Sequence, residues 1–132
     1  MNYHVNVPRE IDAKRVQDMI VGAFEGGSNY WLGDGRVELV TPTYEELGGK
    51  DEKIVWYGRE TDNVFAREEF TITIDVPEDE LRTLDRTAVA RGLQVMGDKY
   101  PDHYNDLVGE NDDAATADVF LQCALFGELV YG

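Results

Sequence analysis

Phe70-Thr71-Ile72-Thr73-Ile74-Asp75-Val76, closed by Pro77, alternates apolar and polar side chains along its length. Alternation of period two puts the apolar set on one face of a strand, so the segment predicts a half-buried strand, which Val64-Phe65 could extend toward its N-terminus. Downstream the period changes. Val89, Leu93, Met96 and Tyr100 are spaced four, three and four apart and form one helical stripe, with Thr83 or Asp85 available as the N-cap. Pro101 breaks that helix, and Tyr104, Leu107 and Val108 predict a short further turn or helix. Asp112 or Asp113 then caps a helix running through Phe126 that is apolar on nearly every face, the pattern of a central buried helix.

Upstream, Asp12 reads as an N-cap with Ile11 and Val16 as its hydrophobic staple. Val16, Met19, Ile20, Ala23 and Phe24 form the inner stripe of a helix stopped by Gly26-Gly27. Tyr3, Val5 and Val7 predict a strand ended by Pro8. Asp34-Gly35 predicts a hairpin turn between strands at Tyr30-Trp31-Leu32 and Val37-Glu38-Leu39-Val40. Pro42 to Glu52 reads as a loop, and Ile54-Val55-Trp56-Tyr57 as a strand closed by Gly58. The expected architecture is α+β: a small, mostly antiparallel sheet with helices packed on one face, within a single domain spanning 1–132.

The chain carries 27 acidic and 12 basic side chains, a formal net charge of -15. Direct nucleic-acid binding needs a basic surface to neutralise phosphates, and anionic membranes need the same; both are disfavoured. At 42% hydrophobic residues the chain has material for a core. Cys123 has no second cysteine to pair with, and its neighbours Phe120, Leu121, Ala124 and Leu125 predict a buried, inert thiol. The N-terminal residues lack the pattern of a signal peptide, and no apolar run approaches a membrane span. The expected compartment is the cytoplasm.

Two regions attract functional attention. Phe24 to Trp31 reads FEGGSNYW: Gly26 and Gly27 allow close backbone approach, Ser28 and Asn29 offer hydrogen bonds, and Tyr30 and Trp31 offer stacking faces suited to a planar ring. The scarce arginines Arg36, Arg59 and Arg67 could hold a small anion or phosphate if they converge there. The second region follows Lys99, the last basic residue. Seven acids lie beyond it, among them Asp102, Asp106, Glu110, Asp112 and Asp113. Such an array can imitate a phosphate track and compete for a basic groove on a protein; it also reads as an ordinary solvated face. His4 and His103 fit no zinc spacing, Glu110-Asn111-Asp112-Asp113 lacks the order of a calcium loop, and no metal or cofactor is expected. No catalytic pair stands out among the carboxylates.

The segments Phe24–Trp31 and Asp118–Gly132 (DVFLQCALFGELVYG), with Val95-Met96, Lys99-Tyr100-Pro101 and Glu110–Asp113, resemble a family of short phage- and prophage-encoded proteins of unknown function. The resemblance implies a bacteriophage accessory protein acting in the host bacterial cytoplasm, with counter-defence as the expected role and no catalytic assignment to transfer. The first expectation is a non-enzymatic protein that sequesters a small nucleotide-type signal through Gly26–Trp31, with Arg36, Arg59 or Arg67 on phosphate. The alternative is an acidic decoy that inhibits a basic host-defence protein, such as a nuclease or CRISPR-type complex, through Asp102, Asp106, Glu110, Asp112 and Asp113. An enzyme with an unrecognised carboxylate site is the third. A homo-oligomer is compatible with all three.

Overall fold

The computed structural model describes residues 2–3, 9–33, 37–43, 45–46, 56–57, 63–77, 79–111 and 113–132. The first helix, α1 (Ala13–Gly22), starts where Asp12 accepts a hydrogen bond from Arg15 N at 2.9 Å. Its Val16, Met19 and Ile20 are buried, and Ile11 packs at the edge of the same cluster.

Gly26-Gly27 do not simply stop this helix. The backbone widens into a π-helical turn at Ala23–Gly27 and continues into a single-turn helix, α2 (Asn29–Leu32). The reason lies at Gly27, where an added Cβ would sit 2.2 Å from the carbonyl oxygen of Ala114. Only glycine lets the turn lie that close to another backbone.

The strand expected at Tyr30-Trp31-Leu32 is therefore corrected to a helix. Its aromatic β-propensity yields to tertiary contacts, which bury Trp31 and Leu32 and leave Asn29 and Tyr30 exposed. With its first arm helical, the expected hairpin does not form; the Asp34-Gly35 turn itself lies outside the described residues.

The sheet has three antiparallel strands in the order β1 (Val37–Thr41), β2 (Thr71–Asp75) and β3 (Leu81–Asp85). Val40, Ile72 and Leu84 align across it, and a bulge between Val37 and Leu39 resets the register of β1. Ile72, Ile74 and Leu84 are buried on one face, while Leu39, Thr71, Thr83 and Leu81 are exposed on the other.

Val64 and Phe65 do not extend β2. They form a 3-10 turn (Val64–Ala66) whose start is fixed by Asn63, its side chain accepting from Phe65 N at 2.9 Å. Trp56 and Tyr57 lie in a turn instead of the expected strand, and Ile54-Val55 fall outside the described residues. Tyr3 carries no regular structure, and the remainder of the expected first strand, 4–8, lies outside as well. β3 had no period-two signal because its outward residues Leu81 and Thr83 are not separated from a buried set by polarity.

β3 leads directly into α3 (Arg86–Lys99), capped by Asp85, whose carboxylate accepts from Ala88 N at 2.8 Å. Pro101 opens α4 (Pro101–Val108), and Asp113 caps α5 (Ala114–Phe126). Residues Thr116 to Leu125 of α5 are all buried, so the expected central helix is the observed one. α1, α3, α4 and β3 all contact it. Gly92 of α3 makes one such approach possible, since a Cβ there would stand 2.8 Å from the Ala124 backbone. Cys123 is fully buried and burial pushes its thiol up to about 11, leaving it protonated and inert at neutral pH. Among the described residues, no helix is long and apolar enough to cross a membrane.

Candidate functional site

α5 is apolar almost all round; besides Thr116 in its first turn, Asp118 and Gln122 are its buried polar residues, one turn apart. Both face α2 and the C-terminal segment. The Asp118 carboxylate accepts from Ser28 Oγ at 2.8 Å, Trp31 Nε1 at 2.7 Å, Tyr30 OH at 2.6 Å and Gln122 Nε2 at 3.1 Å. An ionised carboxylate offers about four acceptor positions, so these neutral donors saturate it. Gln122 Oε1 in turn accepts from Val130 N at 2.9 Å and Tyr131 N at 2.8 Å, and its Nε2 donates to Tyr131 O at 3.2 Å. The Tyr131 ring lies parallel on Trp31, centroids 5.0 Å apart and planes 3° apart, with the Phe126 ring 5.5 Å from Trp31 at 60°.

The two segments FEGGSNYW and DVFLQCALFGELVYG are thus held together by one buried carboxylate. Ser28 is fully buried and Trp31 nearly so, and their polar atoms are committed to Asp118. Tyr30 is different: 60% of the residue is exposed while its hydroxyl is tucked against Asp118. Shielding from solvent, reinforced by the Asp118 carboxylate, pushes this phenol up to about 12. Sequence reasoning did not single out Asp118, Gln122 or Tyr131 as members of one site. The available signal was the Asp118/Gln122 pair at i and i+4 in a helix with almost no other polar residue.

Outside this hub lies an open depression of about 630 Å³. Gly26, Gly27 and Tyr30 reach it from the π turn and α2; Val119, Leu129 and Tyr131 complete its walls, with Asp118 also lining it. No lysine or arginine is among its described lining residues. Asn29 is exposed. Arg67 is exposed after the 3-10 turn and does not line the depression, and Arg36 and Arg59 lie outside the described residues.

The acidic region is a surface feature. Asp102 and Asp106 of α4, Glu110 beyond its end and Asp113 at the start of α5 are exposed; Asp112 lies outside the described residues. Among the described residues no salt bridge reaches any of these four. Asp113 accepts from Thr116 N at 3.0 Å, and this backbone hydrogen bond first of all holds its carboxyl below the usual range. His103 turns inward instead, with Nδ1 3.0 Å from Thr116 Oγ1. No group of three or more metal-ligating side chains occurs among the described residues.

The fold and site define a small acidic α+β protein built around a hydrogen-bonded buried carboxylate. No protein-family model matches the chain, and neither a curated protein nor a solved structure matches it.

Proposed function

We propose that the chain is a non-catalytic binding protein whose α4 ridge engages a basic surface on another protein. One observation carries the reading: Asp102, Asp106 and Glu110 recur every four residues and are exposed, Asp102 in the first turn of α4, Asp106 in its last turn and Glu110 just beyond its end. Four residues advance a helix by about 6 Å, so Asp102 and Asp106 stand one turn apart on one face of α4, and Glu110 follows just past the helix end. Asp102 suits the N-terminal end of the helix, but the negative charge of Asp106 and Glu110 at its C-terminal end opposes the macrodipole and costs stability. A charge kept where it weakens the fold is best explained by what it does outside the fold. The likeness of both ends of the chain to phage proteins makes a bacterial defence protein with a nucleic-acid groove the class of partner we expect, with the chain as its acidic decoy.

Nucleotide sequestration is the weaker reading. A phosphate in the depression would meet Asp118 without a described cation beside it, and it would depend on Arg36 or Arg59.

The test is binding to an identified basic partner, recovered by affinity capture from a bacterial host, over a range of salt concentrations. Affinity should fall as salt rises. The triple variant Asp102→Asn, Asp106→Asn, Glu110→Gln should bind about tenfold more weakly, since exposed pairs contribute up to about 1 kcal/mol each. Undiminished binding by the triple variant overturns the proposal.

A further inference from the structure

The depression and the acidic ridge are neighbours along the chain. Three residues past Glu110, Asp113 caps α5, and the next two residues, Ala114 and Ala115, line the depression. Its walls are apolar and partly aromatic: Tyr30 is 60% exposed and Leu129 39% exposed, with Val119 and Tyr131 completing them. Asp118, a residue only 7% exposed, is among its lining residues.

These features select the occupant. Anions are repelled by Asp118, Asp113 and a net charge of -15. The first turn of α5 contributes about half a positive charge, which the two carboxylates outweigh. Tyrosine rings attract cations over their faces, and the apolar walls suit a long aliphatic stem. A guanidinium is more weakly hydrated than an ammonium and stacks on aromatic rings, so arginine fits this chemistry better than lysine.

We infer that the depression lined by Tyr30, Leu129 and Tyr131 is the anchor pocket of the interface, receiving an arginine side chain from the basic partner. This rests on the acidic-ridge reading and gives that surface its specific contact. Asp118 acts on the guanidinium through charge and not through a bidentate fork, because Ser28, Tyr30, Trp31 and Gln122 already fill its acceptor positions.

The experiment titrates the full chain, followed by two-dimensional amide NMR, with the blocked tripeptides acetyl-Gly-Arg-Gly-amide and its lysine and glutamate counterparts. The arginine peptide should shift Gly26, Gly27, Ala114 and Leu129 with a Kd on the order of millimolar. The lysine peptide should bind more weakly and the glutamate peptide should leave these signals in place. Tyr30→Phe keeps the ring and should retain binding, whereas Tyr30→Ala should lose about tenfold. Leu129→Arg, on an exposed wall, should fill the pocket from within and abolish the shifts without lowering the melting temperature. No shifts at these amides up to tens of millimolar (about one log unit above the expected Kd) overturn the inference, as do shifts unchanged in Leu129→Arg. With the identified partner, the two readings separate: loss of binding in the ridge triple variant but not in Leu129→Arg sustains the ridge and sinks the anchor. Loss in Leu129→Arg but not in the triple variant does the reverse.

Discussion

Asp118 is the residue on which the two signature segments depend, and it does so as an anion surrounded by neutral donors. Replacing it by asparagine keeps the shape but presents an amide NH₂ or a weaker acceptor to Ser28 Oγ and Trp31 Nε1, both buried. A buried donor without a partner costs about 1–3 kcal/mol. Asp118→Asn is expected to destabilise by on the order of 3 kcal/mol, read as a lower urea midpoint at unchanged m-value. Tyr30 and Tyr57 supply a second expectation at this scale. Both phenols are pushed up to about 12, Tyr57 chiefly by burial and then by Glu25, to which its hydroxyl donates at 3.2 Å. A proton held more tightly in the folded chain than in the unfolded one stabilises the fold fully below the ordinary phenol value near 10, and that contribution disappears as pH rises toward 12. Urea midpoints should therefore drop over that alkaline window alongside rising tyrosinate absorbance, and the drop should be smaller in the Tyr30→Phe, Tyr57→Phe double variant. Asp118 was visible in the sequence only as one acid among many, because nothing local says that a carboxylate will meet Ser28, 90 positions away.

The most informative element boundary is the end of α4. Asn111 N donates to Asp106 O at 2.9 Å and Glu110 N to Leu107 O at 3.4 Å, the two hydrogen bonds of a Schellman ending. The left-handed position in that motif usually holds glycine, yet here it is Glu110, with φ of 58°. A side chain in that conformation is strained by about 1 kcal/mol, and its charge also faces the negative end of the helix. Glu110→Gly should stabilise the chain by about 0.5–1 kcal/mol while weakening its hold on a basic partner. A thermal melt and a binding isotherm on the same variant check both signs; a variant that is more stable and binds equally well would remove Glu110 from the ridge. Elements with a period of their own were legible: α1 from Val16, Met19 and Ile20, β2 from Ile72 and Ile74, α5 from its unbroken apolar run. Tyr30-Trp31-Leu32 was not, since three residues carry no period and their helical form is imposed by Gly27 against Ala114 and by Trp31 against Asp118.

At the scale of the molecule, the charge of -15 acts on folding and on binding with opposite signs. Self-repulsion opposes the compact state, and salt screens it, the Debye length shrinking from about 30 Å at 0.01 M to about 10 Å at 0.1 M. The melting temperature should thus rise over that range of salt while affinity for a basic partner falls. A melting temperature that does not respond would mean that the acids are already compensated within the fold. The α+β class, the helical cap at Asp12 and the buried central helix follow from the sequence alone, because each is written in neighbours a few positions apart, whereas the choice of Asp85 over Thr83 and of Asp113 over Asp112 as caps came with the structure. Where Ser28 and Trp31 point and the depression between Tyr30 and Leu129 were decided only by tertiary structure. Those features join residues about 100 positions apart, and the chain encodes such a meeting only through the packing of whole elements.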